Sequence, residues 1–410
     1  MNLASLTFAA IAGTLLACYA FRTIARWLGQ PGVIGELFGG VLLGPTLLGS
    51  FSATVLPETV RPQLSTLGNI GAALFMLVLG MDFGTEKPAQ QLRRTGLIGI
   101  GSVLLPFALG TGLGGLLVAW GHGNSVVFVL FMGIAMSVTA FPVLAKLLEH
   151  RKMTNTGTGQ LAIGAAAASD VLAWTVLAVI AALARTGSHT FWLTLLVIPL
   201  FLLLRFVVTP ALRRLPGRPG FAVVLIAGGL ACGAVTEAIG LHFIFGSFLF
   251  GAVIAPLMKS DTGTRDLISG IAALLLPVYF LSAGLKVTLS LSPATIGLIA
   301  LALIVAIVGK MGGTYATARL VGVPQEQATT LAVLMNTRGL TELIVLTTGL
   351  ELGILSTELY SIMVIVALVT TAVTNPALDL LAWRRRFRGA DGLMPARSAS
   401  RAGSAGRSRE

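Results

Sequence analysis

The sequence predicts an all-α polytopic membrane protein of about thirteen transmembrane helices arranged as two inverted repeats. Three observations predict it. First, 55% of the 410 residues are hydrophobic and only 11% are charged, where a soluble chain carries about 25% charged residues. Second, apolar runs of roughly 20 residues recur along the chain, each long enough to cross ~30 Å of hydrocarbon as a helix. They do not alternate, as the ~10-residue strands of a membrane barrel would. Third, the charges between the runs are sorted by side.

The runs fall at 4–27, 32–50, 64–83, 95–120, 124–149, 158–185, 190–208, 219–239, 243–258, 265–286, 293–320, 325–350 and 357–383. The first has no basic segment before it, so it reads as a span and not as a cleaved signal. Residues 386–410, rich in Arg, Ser and Gly, read as a basic disordered cytoplasmic tail, which leaves 1–385 as the transmembrane domain. Threading the chain through these spans puts fifteen basic residues on one side: Arg22, Arg26, Lys87, Arg93, Arg94, Lys146, Arg151, Lys152, Arg205, Arg213, Arg214, Arg218, Lys259, Arg265 and Arg319. The other side receives three, Arg61, Arg185 and Lys286. The positive-inside rule then places the N-terminus outside and the C-terminus in the cytoplasm of a multi-pass cell-membrane protein. This topology accounts for the net charge of +12 without a nucleic-acid partner. The two cysteines, Cys18 and Cys232, lie in spans and form no disulfide framework.

Six spans, a linking span and six more fit an inverted repeat, whose site lies at mid-membrane between interrupted helices in matching positions. Spans 5 and 12 match in this way. Span 5 carries "MSVTAFPVL" (136–144). Pro142 has no N–H for the Val138 carbonyl and pushes Phe141 out of helical geometry, so a break from Ser137 to Pro142 is expected. Span 12 carries "LMNTRGLTEL" (334–343), with Asn336 and Gly339 at its centre. Unwound backbone at that depth is tolerated where it lines a cavity.

Charges deep in spans are few. Asp170 sits near the middle of span 6 within "AIGAAAASDVLAW" (162–174). A charge at the bilayer centre costs about 2.5–3.5 kcal/mol on insertion scales, which marks Asp170 as an ion or proton carrier. The structural alternative is a carboxylate paired with Lys310 of span 11. Lys310 itself either neutralises the negative helix ends at the breaks or takes part in proton exchange; the sequence leaves both open. Arg338 and Glu342, at i and i+4, read as a local salt bridge. Glu36, close to an aqueous end, reads as structural, as do Glu237 and His242 beside a short loop.

The motifs "WLGQPGVIGELFGGVLLGPTLLG" (27–49), "LFMLVLGMDF" (74–83), "SVTAFPVLAKLL" (137–148), "AAAASDVLAW" (165–174), "GLHFIFGSFLFGAVI" (240–254), "LLPVYFLSAGL" (275–285) and "LMNTRGLTELIVL" (334–346) resemble the monovalent cation:proton antiporter-2 family, in order along the chain. The resemblance implies the sodium/proton antiporter fold. Spans 1–3 and 8–10 would form a dimerising panel. Spans 4–6 and 11–13 would form a mobile core in which the discontinuous spans 5 and 12 cross. It implies a homodimer in membrane lipid that exchanges Na⁺ or K⁺ for H⁺, with no enzyme activity and no cofactor beyond the transported ions. Asp170 matches the family's ion-binding aspartate, and Lys310 the basic residue of span 11. Arg338 and Glu342 would join Lys310 in charge compensation. Ser169 stands where electrogenic relatives carry a second aspartate, which suggests one-for-one exchange. Thr139, Ser169, Asn336 and free backbone carbonyls would supply oxygen ligands to a Na⁺ or K⁺ held on Asp170. The rival readings are a symporter for an organic acid on a related fold, and a membrane enzyme or non-transporting homologue. For the enzyme reading, Ser169 and Asp170 are adjacent on a helix and so point about 100° apart, and no histidine lies deep in a span.

Overall fold

A computed structural model describes residues 2–391 except 50–51, 53–55, 83–88, 124, 185–195, 216, 219, 240, 259–260 and 290–291. Every described element is helical. In chain order they are α1 (Leu3–Trp27), α2 (Gly32–Leu43), α3 (Pro45–Leu48), α4 (Arg61–Asp82), α5 (Ala89–Ala119), α6 (Val126–Ser137), α7 (Phe141–His150), α8 (Gly157–Ala184), α9 (Val197–Leu212), α10 (Phe221–Ala238), α11 (Phe243–Met258), α12 (Thr262–Leu285), α13 (Pro293–Leu320), α14 (Gln325–Met335), α15 (Leu340–Glu351) and α16 (Thr357–Asp391). Eight of these are long and apolar enough to cross a membrane. Expected spans 5 and 12 are each a pair of short helices, α6–α7 and α14–α15.

Three boundaries differ from expectation. Helix α16 continues to Asp391, so the segment expected to be disordered from 386 begins as helix; arginine is a good helix former and basic residues complement a helix C-terminus. Residues 392–410 and the expected loop positions Lys87, Arg185 and Lys259 lie outside the described residues. Helix α9 starts at Val197, with a wider turn over Leu204–Val208, and reaches Leu212, beyond the expected end at 208. Third, α7 starts at Phe141, so Phe141 is helical and Pro142 takes the second position of its first turn. A missing N–H costs nothing there. The break lies at Val138–Ala140, inside the expected stretch from Ser137 to Pro142, and Val138 (ψ 140°) is extended there.

The outer surface is built for a hydrocarbon solvent. Phe8, Leu16, Leu104, Phe206, Val223 and Ile304 are exposed, while Ser102, Ser137, Asp170, Lys310, Arg338 and Glu342 are all buried. Contacts between loops join segments expected on one side. At one end Lys286 meets Glu351 and Thr46 donates to the Val287 carbonyl. At the end bearing the basic loops, Asn375 donates to the Gly29 carbonyl, Arg151 meets Asp379, and Arg265 meets Asp82. There Asp261 caps α12. It accepts from the Thr264 and Gly217 N–H groups at 3.0 and 2.9 Å, and these bonds hold its carboxyl below the ordinary range. A register error of one span would have sent such partners to opposite ends.

Helices α1, α2, α4, α10, α11 and α12 pack on one another, as do α5, α6, α8, α13, α14 and α16. The two sets meet where α2 touches α16 and where α12 touches α15. Within the first set the helices approach at small residues, the usual device in lipid, where apolar burial drives no association. At the α2–α12 crossing a Cβ on Gly284 would lie 2.8 Å from both Gly40 Cα and Val41 N, too close for any side chain. Gly297 in α13, by contrast, has nothing within 4 Å of a built Cβ.

Gly284→Val is expected to lower the melting temperature in detergent and the yield of monodisperse protein, since overpacking costs about 1–3 kcal/mol. Gly297→Ala should leave melting unchanged or raise it, because alanine is the better helix former by about 1 kcal/mol. Thermal unfolding of the two purified variants checks both.

Candidate functional site

The site is assembled where the two interrupted helix pairs cross. α6 and α14 enter from opposite ends of the bundle and both stop near its centre, so two helix C-termini, each with unpaired carbonyls and a partial negative charge, are buried side by side. The extended segments that follow hold each other. Ala140 N–H donates to the Thr337 carbonyl at 3.0 Å, Thr341 Oγ1 to the Thr139 carbonyl at 3.0 Å, and Thr139 Oγ1 to the Met335 carbonyl at 3.4 Å. Gly339 caps α15, and a Cβ there would sit 2.9 Å from Val143 Cγ2, so the crossing is closed too tightly for a side chain.

Two cations meet the end of α6. The Arg338 guanidinium donates to the Ala135 carbonyl at 3.2 Å and to the Met136 carbonyl at 2.7 Å. Lys310 Nζ donates to the Ser137 carbonyl and, at 3.0 Å, to the Ser102 carbonyl of α5. Lys310 is thus placed against a helix end, as the first of its two expected roles requires. Arg338 also pairs with Glu342 Oε1 at 2.5 Å, the expected i, i+4 bridge, with both side chains wholly buried. Glu342 lies in the first turn of α15, where a carboxylate suits the positive helix end.

Asp170 is wholly buried on α8, a helix that packs against α6, α7 and α14. It feels the charge of Lys310, yet no ion pair within 4 Å joins it to a cation among the described residues, and both carboxylate oxygens lack a hydrogen-bond partner. The paired-carboxylate alternative therefore fails as a contact: Lys310 directs two of its three donors to carbonyls. Asn336, the C-cap of α14, likewise has a buried Oδ1 without a partner. The Ser169 hydroxyl donates to the Ala166 carbonyl one turn back at 2.8 Å, and the Ser137 hydroxyl to the Gly133 carbonyl at 2.7 Å. The structure thus places Thr139, Ser137, Asn336 and Gly339 at the two breaks, Lys310, Arg338 and Glu342 around them, and Ser169 and Asp170 on the helix packed alongside. Buried oxygens without donors suit a proton or a hard cation bound through oxygen. No cluster of three or more His, Cys, Asp or Glu that could hold a resident metal ion occurs among the described residues.

Sequence reasoning missed several parts. Thr371 on α16 accepts from Arg338 N–H at 3.1 Å and returns a bond to the Arg338 carbonyl at 2.7 Å; one threonine among several in span 13 carries no signal of this. The Ser102 carbonyl is backbone and equally silent. Glu36 is wholly buried and pairs with Arg22, so its structural reading stands. Glu237 accepts from Phe243 N–H at 2.8 Å. His242, read as bland, faces Glu351 at 3.4 Å.

Two cavities lead from the end bearing the basic loops. One of about 370 Å³ is lined by Arg22, Arg26, Gln30, Val143, Leu147 and Asn375 among others. A constriction of about 10 Å³ shares Pro31, Val33 and Val143 with it and reaches Arg338, Gly339 and Thr371 at the crossing.

Comparison with known proteins agrees with this arrangement. A family model described as "Sodium/hydrogen exchanger, transmembrane" matches residues 11–383. Cation/H(+) antiporter 18 of Arabidopsis thaliana is 38% identical over 384 residues, which cover 87% of this chain and 46% of that protein. The chain thus spans about half the length of this plant relative. Na(+)/H(+) antiporter NhaS4 of Synechocystis is 34% identical, with 85% of this chain and 90% of the relative covered. K(+)/H(+) antiporter 1 of Saccharomyces cerevisiae is 31% identical over 90% of this chain and 45% of that protein. The solved structure of the sodium proton antiporter MjNhaP1 from Methanocaldococcus jannaschii at pH 8 superposes with a TM-score of 0.69, covering 93% of this chain and 98% of that one. Its 16% identity makes that a likeness of fold.

Arg338→Met should be the most destabilising change at the crossing, by about 3–5 kcal/mol, because it strands Glu342 as a buried unpaired charge and frees two carbonyls of α6. Thr371→Val should cost less, about 1–3 kcal/mol for the bonds lost at the Arg338 backbone. Melting temperatures of the two variants in one detergent rank them.

Proposed function

The chain belongs to the sodium/hydrogen exchanger transmembrane family, and we propose that it is a secondary antiporter exchanging Na⁺ or K⁺ for H⁺ by alternating access at Asp170. One observation carries this reading: a wholly buried carboxylate with both oxygens unpartnered lies beside two crossed, interrupted helices. Such a group holds a proton or a cation, and cannot hold both on one charge. Asn336 Oδ1, the Thr139 and Ser169 hydroxyls and backbone oxygen at the breaks supply the neutral ligands that a monovalent cation needs as it sheds water. Lys310 and Arg338 keep the C-terminus of α6 from acting as a second, stronger cation trap, so the exchangeable charge is confined to Asp170.

In this reading α1–α4 and α10–α12 form the panel and α5–α8 and α13–α16 the core. The end with the basic loops faces the cytoplasm of a cell-membrane protein, and the panel pairs two copies in lipid. The core carries Asp170 past the panel, which exposes the site to each side in turn. The relatives' names cover both sodium and potassium, and oxygen ligands serve either ion.

Asp170→Asn, reconstituted as the full chain, is expected to reduce pH-driven Na⁺ and K⁺ flux to the level of protein-free liposomes while the elution profile and melting temperature stay near wild type. Retained flux in the folded variant refutes the assignment. With a single titrating carboxylate, one proton leaves for each cation bound and no net charge moves. Na⁺/H⁺ exchange at fixed pH gradient should then be unchanged when a K⁺–valinomycin clamp sets the membrane potential. A strong voltage response would implicate Lys310 as a further proton carrier.

A further inference from the structure

At the end opposite the basic loops the two helix sets are sewn together, by an ion pair as well as by neutral bonds. Tyr360 of α16, wholly buried, donates its hydroxyl to the Ala283 carbonyl of α12 at 2.9 Å. The Thr288 N–H just beyond α12 donates to Ser361 Oγ of α16 at 2.9 Å. Glu351, the last residue of α15, accepts from Lys286 Nζ at 3.2 Å and faces His242 Nε2 at 3.4 Å. Lys286 follows α12 and His242 precedes α11, so one carboxylate of the second set engages two elements of the first. The space left at this seam, between Asn69, Tyr279, Ser282 and Thr347, is about 10 Å³. At the basic end the sets are joined by neutral amides on backbone oxygen, Asn375 to Gly29 at 2.9 Å and Gln30 to Ala372 at 3.4 Å, beside the cavity of about 370 Å³.

The position of Glu351 demands a reason. A carboxylate on the last residue of a helix adds to the negative end of the helix dipole, which disfavours it. Lys286 on the other helix set supplies the opposing charge, and a histidine is seated beside it. That compensation exists only while the two sets are in contact at this end. Moving α15 away from α12 leaves the Glu351 carboxylate against its own helix end with water alone to stabilise it.

We propose that Glu351, through Lys286 and His242, is the outer latch of the transport cycle, and that this conformation is the inward-facing one. The inference rests on the exchanger reading above for its meaning, since the latch joins panel to core. It assigns a positioning role to a residue remote from Asp170: Glu351 binds no transported ion and sets how often the outer side opens.

The test reads outer opening directly and needs no flux. Thr347 is only 5% exposed and lines the seam cavity, so Thr347→Cys places a near-isosteric thiol behind the latch. The native Cys18 and Cys232 are buried, and the chain without Thr347→Cys serves as the blank. Intact cells expressing the full chain are treated with a membrane-impermeant maleimide. Adding Glu351→Gln is expected to raise the labelling rate about two- to five-fold, the population shift that corresponds to losing a partly exposed ion pair. Lys286→Gln should do the same. The swapped pair Glu351→Lys with Lys286→Glu should return labelling towards the starting rate, which separates a latch from general loosening. Unchanged or slower labelling in both single variants, or no recovery in the swapped pair, overturns the proposal, with folding verified by size-exclusion of each extracted protein. The outcomes are separable from the exchanger reading: flux in Asp170→Asn would overturn the latter and leave the labelling result standing, and the reverse holds as well.

Discussion

The architecture depends on one electrostatic constraint, the neutralisation of a helix end buried in the middle of the bundle. Interrupting a helix at that depth exposes carbonyls that water would otherwise solvate, and an unpaired backbone group in such a place costs several kcal/mol. Here the carbonyls of Ala135, Met136 and Ser137 receive the donors of Arg338 and Lys310. Those cations are in turn tolerated because carbonyl dipoles and Glu342 surround them. Neither the break nor the charges would survive alone. The same arrangement leaves Asp170 the one charged group in the set with no hydrogen-bond partner.

Much of this was legible in the sequence because the membrane removes alternatives. A chain in hydrocarbon must be helical or a closed barrel, and its buried charges stand out against an apolar background, so Asp170, Lys310, Arg338 and Glu342 could be read as a group. The matching interruptions in spans 5 and 12 were legible for the same reason: "SVTAFP" and "NTRG" are polar or helix-breaking where neither belongs. What could not be read was which atoms those residues touch. Lys310 had two equally good uses, and only the packing of α13 against α5 and α6 brings its ammonium to the Ser102 and Ser137 carbonyls. Only Phe141 was misread, as non-helical, since proline disfavours helix before itself but is also well suited to a helix's first turn, and the local sequence does not say which holds. His242 and Glu351 are about a hundred positions apart and ordinary in composition; their meeting is a fact of tertiary structure.

The two helix sets handle close packing differently from a soluble core. In the first set, paired glycines such as Gly40 and Gly284 bring backbones together with no side chain between them, a rigid contact that resists sliding. Around the crossing the interface is made instead of threonine hydroxyls and backbone groups, Thr139, Thr337, Thr341 and Thr371, each of which can re-aim its bond with a small rotation. Close glycine contacts occur in the second set as well, Gly110 against Gly133 among them, and the adjustable bonding lies at the crossing, next to the buried carboxylate.

The antiparallel crossing has a consequence for direction. α6 and α14 arrive from opposite ends of the bundle, and the extended segments that end them hold each other across the crossing. In the antiporter reading proposed above, which way net movement runs is decided by the concentrations on the two sides, because an exchanger only couples one gradient to another, and the same molecule would extrude or import as those concentrations reverse.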